Sequence, residues 1–179
     1  MLFTLNVRRR TSVNMVSKIW PHYLLGALVG GLAAGTLDII YAFVLSSIGG
    51  GSPLGVLRSV ASGLLGAEAF KGGIPTAALG LVLHLGITVV AAGIYLFAAR
   101  QAVFMREHYL LCGSIFGVLV YLAMNFVVLP LSAVPFHLTY PPQALLQGFV
   151  SHALLVGIPI AVCVRRFSFY RAQVSSDAA

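Results

Sequence analysis

The chain has 179 residues and a formal net charge of +7; it is 59% apolar and only 8% charged. Soluble domains carry about 25% charged residues, so this composition and a mean hydropathy of +0.98 exclude an ordinary soluble fold and leave room for one domain of about four membrane spans. A basic soluble domain would point to nucleic acid, but these Lys and Arg residues flank apolar runs, which fits topology and anionic lipid with no nucleic-acid partner.

Residues 1–22 form a basic N-terminal segment with Arg8, Arg9, Arg10 and Lys18. It imitates the start of a signal peptide, but the apolar run that follows is too long for such a segment and lacks a convincing cleavage site, so an uncleaved anchor is expected. Met15 offers a second start, which would leave residues 1–14 outside the protein. Trp20 and Tyr23 suit an interface, and Pro21 suits a helix start.

The first span is read over Tyr23–Ile48, enough to cross a bilayer core of roughly 30 Å at about 1.5 Å per residue. Ala27, Gly31, Ala34, Asp38, Tyr41 and Ala42 recur at helical spacing and predict a face that meets other helices. Leu24, Leu28, Leu32, Ile39 and Phe43 predict the face towards lipid. Asp38, ionisable and on the packed face, is a functional candidate on that ground.

After Gly49-Gly50-Gly51, Ser52 as N-cap and Pro53 at the first helical position predict a short amphipathic helix over about 53–67. It is too short to span, so it belongs at the interface or over the outer mouth of the bundle. A second span starts at Pro75, ends near Phe97 and contains His84; a loop over 98–108 follows. The third span runs from Tyr109 to Leu129, is closed by Pro130 and contains Asn125. Loop 131–142 has no Lys or Arg. The fourth span, about 143–164, holds His152 and Pro159, a residue that kinks helices. The membrane domain thus covers 23–165, and 166–179 is a polar tail expected to be disordered.

All Lys and Arg except Arg58 and Lys71 fall in the N-terminal segment, the 98–108 loop or the C-terminal tail. The positive-inside rule then places both termini in the cytoplasm. Cys112 and Cys163 fall near cytoplasmic span ends, where a disulfide is not expected. His22, His108 and His137 fall in loops or at span ends and read as solvated.

Two patterns organise the spans. Gly26, Gly30 and Asp38 align with Gly113, Gly117 and Asn125, while Gly80 and His84 align with Gly148 and His152. This predicts a parallel two-helix repeat whose glycines, with Gly31, let helices approach. Asp38, His84, Asn125 and His152 also lie at one depth, about 8–15 Å below the outer surface by helical rise. Three readings of this polar layer stay open: glue between helices at roughly 0.6 kcal/mol per bond, a hydrated site or pathway for a proton, ion or small solute, or a bis-histidine haem site from His84 and His152.

No G-x-S-x-G, H-E-x-x-H, P-loop or C-x-x-C pattern occurs, so neither enzyme activity nor a cofactor or metal is expected. Ser151 and His152 are adjacent and should point to different helix faces, which argues against a nucleophile–base pair. The partner expected is the lipid bilayer; homo-oligomerisation stays open.

The chain resembles the YagU-like family of small bacterial inner-membrane proteins. The resemblance lies in GALVGGLAAG at 26–35, GLVLH at 80–84, MNFVVLPL at 124–131, and Ser151-His152 followed by Arg165-Arg166. It covers the four spans, although the long polar insertions of some members are missing. It implies a multi-span inner-membrane protein loosely associated with acid resistance, and it brings no catalytic residues.

Overall fold

The computed structural model describes the backbone of residues 2–136 and 139–170, and the side chains of 22–136 and 139–169. The polar tail from Arg171 onward and His137 lie outside the described residues, as do the side chains of Arg8, Arg9, Arg10, Lys18 and Trp20. The chain is an all-α membrane protein: four helical stretches, His22–Ile48, Ile74–Gln101, Tyr109–Leu131 and Pro142–Phe169, are long and apolar enough to cross a bilayer.

Helix α1 runs from Leu2 to Ile48, so Pro21 lies inside it and not at its start. Residues 2–20 contain no Gly or Pro to stop a helix, and the helix continues through Pro21 despite the lost bond and the ring clash that an interior proline brings. Helix α2 is Pro53–Leu65, and its start forms as the sequence dictates: the Gly55 N–H donates to Ser52 Oγ at 3.1 Å, with Pro53 in the first turn. Gly66, at φ +60°, ends it in a conformation that a side chain would strain, and a 3₁₀ turn, Gly66–Phe70, follows. Helix α3 is Ile74–Gln101 and α4 is Val103–Glu107. Much of the expected 98–108 loop is therefore helical, since residues 98–107 also lack Gly and Pro.

Helices α5, Tyr109–Leu131, and α6, Pro142–Phe169, complete the bundle. Each contains a π-helical segment, Met124–Val128 in α5 and His152–Gly157 in α6, just before a proline. A proline ring clashes with the carbonyl four residues back, here Phe126 for Pro130 and Leu155 for Pro159. The wider π turn takes up that clash without ending the helix. The third span ends at Leu131, one residue past Pro130, as expected, while the fourth runs past Arg165 and Arg166, both expected in the tail or at its edge.

Helix α1 packs on α3 along one side and on α6 along another, while α5 packs on α6. The core between them is built from small side chains, Ala27, Ala34, Ala92 and Ala161 among them, around Tyr95, Val156 and Ile160. Large aliphatic residues point outward, which is how helices associate in lipid. On α1, Leu24, Leu28 and Leu32 are exposed as expected, but Ile39 is buried. Helix α2 packs chiefly on α3 and more lightly on α1, and in the second half of α1 the exposed residues include Leu37, Ile40 and Val44.

The glycines mark where backbones meet. A Cβ on Gly31 would strike the Val89 backbone of α3, including its N at 2.7 Å. Gly30 looks onto Cys163 Cβ at 3.2 Å and Ile160 of α6, and Gly26 onto Ser168 of α6. Gly113 and Gly117 also face α6, at Gly157 and His152, and Gly80 meets the Leu57 carbonyl of α2. The aligned glycines of the repeat thus occupy non-equivalent interfaces: Gly113 and Gly117 pack within their own half, Gly26 and Gly30 across to the other.

The arginine-rich end is clamped by cation–π contacts worth about 0.5–1 kcal/mol each where exposed. Arg100 lies over Tyr23 at 4.8 Å, Arg106 over Phe169 at 5.1 Å and Arg165 over Tyr109 at 4.2 Å. At the opposite end the Ala133 N–H donates to the Gly63 carbonyl at 3.0 Å, tying α2 to the end of α5.

Candidate functional site

A charge inside a bundle of apolar helices persists only with partners, and Asp38 has them. His84 Nε2 of α3 lies 3.8 Å from Asp38 Oδ2, and His152 Nδ1 of α6 lies 3.9 Å from Asp38 Oδ1. The Asp38 and His84 side chains are each 15% exposed and that of His152 is 20% exposed. These separations are close enough for strong charge coupling and too long for direct hydrogen bonds.

Each side chain has a local reason for its place. Gly31 and Gly35 admit α3 closely against α1, which brings His84 Nε2 to 3.0 Å from the Gly35 carbonyl. A carbonyl only accepts, so Nε2 carries the proton and donates. On α6, the Ser151 hydroxyl donates to the Gly148 carbonyl at 3.1 Å and lies 3.4 Å from His152 Nδ1. Tyr121 of α5 meets the His152 ring edge-on, with centroids 5.0 Å apart. The Tyr121 ring occupies the space that a side chain at Gly148 would fill.

Three of the four residues of the expected polar layer therefore converge. The fourth, Asn125, does not join them: its Nδ2 donates to the Tyr121 carbonyl of its own helix at 2.9 Å, and its backbone carbonyl accepts from Tyr140 at 2.6 Å. The side chain that α5 does bring to the cluster is Tyr121, which depth along the sequence did not reveal. Its one signal was its spacing four residues after Gly117, on the same helix face.

The expected separation of Ser151 from His152 needs correcting. Both Ser Oγ and His Nδ1 lie near their own backbone, so neighbouring residues meet without sharing a helix face. Even so, Ser151 and Asp38 both approach Nδ1 of His152. A nucleophile–base–acid relay needs them on opposite ring nitrogens, so this arrangement is not one.

The cluster forms the back of a cavity of about 350 Å³. Leu83, Ile87 and Thr88 of α3 form one side, Val120, Met124 and Val128 of α5 the other, and Val60, Gly63 and Leu64 of α2 the roof. The lining is mostly apolar, with Asp38, His84, His152, Thr88 and Ser132 as its polar residues, as in small-molecule sites. Among the described residues no group of His, Cys, Asp and Glu has the arrangement to hold a metal ion. The Asp38 carboxylate approaches both imidazoles, one oxygen to each, and His84 Nε2 is committed as a donor.

No protein-family model matches the chain, and neither does any curated protein or solved structure.

Proposed function

We propose that this is a non-enzymatic, multi-pass protein of a bacterial inner membrane, with both termini cytoplasmic, whose Asp38–His84–His152 cluster is a proton-responsive site serving a small solute or ion. The observation that carries this reading is the convergence of three ionisable side chains from three helices on one cavity inside an apolar bundle. With the carboxylate ionised and both imidazoles neutral the cluster carries one negative charge; one added proton cancels it and a second reverses it. The distribution of Lys and Arg supports the orientation. The YagU-like resemblance and its association with acid resistance agree with a proton-responsive site.

Flux measured in proteoliposomes across a pH gradient tests this. The wild-type protein should show pH-dependent flux, and Asp38→Asn, which keeps shape and hydrogen bonding, should fold but lose it. A second reading, an accessory membrane subunit without transport, draws on the bond from His84 to the Gly35 carbonyl, which stitches α3 to α1. Under it, a well-folded Asp38→Asn protein would behave as wild type.

A further inference from the structure

The cavity has an entrance, and its position narrows the class of guest. Helices α3 and α5 meet near the arginine-rich end, where Tyr95 packs edge-on against Phe116 with ring centroids 5.2 Å apart. Nearer α2 the cavity separates them. Three lining residues remain well exposed, Ile87 at 37%, Val128 at 42% and Leu64 at 62%. The roof is tied down by the bond from Ala133 to Gly63. The open side is therefore lateral, between two helices whose outer faces carry Val82, Val90, Leu119 and Val127, so it faces bilayer.

A guest arriving from the bilayer crosses apolar walls and ends against the only acidic side chain within the four spans. The geometry points to a small amphipathic organic cation, an ammonium carrying one apolar group, that enters from the membrane between α3 and α5 and places its charge at Asp38. This rests on the reading of the cluster as a proton-responsive site and adds the substrate class and the route. The size is adequate, because a cavity of roughly 150 Å³ already holds a benzene ring.

The charges decide the sign. The titratable groups facing Asp38 are His84 from α3 and His152 from α6, with Tyr121 of α5 behind His152. Helix α2 contributes only Val60, Gly63 and Leu64 to the cavity wall. The singly negative cluster attracts a cation, and the neutral or positive cluster releases it, so guest and proton compete for one carboxylate.

Equilibrium binding of radiolabelled benzyltrimethylammonium to the full-length purified protein tests this. The probe has a fixed charge, so any pH dependence belongs to the protein. The expected result is saturable binding whose apparent Kd rises by up to about tenfold per unit of acidification, with at least a tenfold loss in Asp38→Asn. Val128→Trp should block the lateral opening and slow or abolish binding. Should Asp38→Asn not fold, Val128→Trp and the pH dependence decide. Neutral 3,3-dimethylbutylbenzene and anionic benzenesulfonate should not compete. Competition by either, pH-independent binding, no binding at any pH, or unchanged binding in Asp38→Asn would overturn the cation assignment. Unchanged association in Val128→Trp would overturn the route. A carboxyl group that still titrates while the probe fails to bind would sink this inference alone. A carboxyl group that does not titrate would sink the proton-responsive site on which it rests.

Discussion

On the proposed reading, His84 has two tasks that one substitution separates. Its Nε2–H holds the Gly35 carbonyl, and its ring adds protonation capacity beside Asp38. Glutamine keeps a donor without a titratable ring, so His84→Gln should unfold close to the wild-type temperature in detergent yet lose pH-dependent flux. His84→Leu should lose the stitching bond as well, at about 1 kcal/mol, visible as earlier thermal unfolding. Equal unfolding of both variants would remove the stitching role. Asp38, His84 and His152 were legible in the sequence because a bilayer core tolerates ionisable groups only where they are partnered. Asn125 was misjudged because position along a helix gives depth but not which way the side chain bonds. Tyr121 was missed because an aromatic in an apolar span looks like every other core residue.

Helix contacts grade the glycines of α1. Gly31 faces backbone of α3, which has nowhere to move, whereas Gly30 faces the Cys163 side chain and Ile160 at 3.2–3.4 Å. Gly31→Leu should therefore be the more damaging, with a cost of about 1–3 kcal/mol or failure to assemble. Gly30→Leu should be intermediate, and Leu28→Ala on the exposed side mild. Size-exclusion profiles and melting in detergent rank the three, and a different order would contradict the packing described. Helix α2 is a separate case, with one cap and one left-handed glycine defining it. Ser52→Ala should cost about 0.5–2 kcal/mol, read as faster hydrogen exchange confined to residues 53–65. The cap was legible because its chemistry is local. The π segments before Pro130 and Pro159 were not, because the sequence displays the prolines and not how a helix absorbs them.

For the molecule as a whole, the spans were legible from hydropathy and length, since lipid demands long apolar helices and tolerates little else. The glycine alignment does not carry over into equivalent packing: glycine spacing announces close approach without naming the partner, and the matched glycines pack against different neighbours. The orientation proposed above rests on the Lys and Arg distribution. Alkaline phosphatase fused after the C-terminus should be inactive, and fused within loop 131–142 active; the opposite pattern would invert the topology. A proton held at Asp38 is the premise on which the transport reading stands, and it is directly observable. Infrared difference spectra of the purified protein, recorded during acidification, should contain a protonated-carboxyl carbonyl band that is missing from Asp38→Asn. Identical difference spectra for the two proteins would contradict the account.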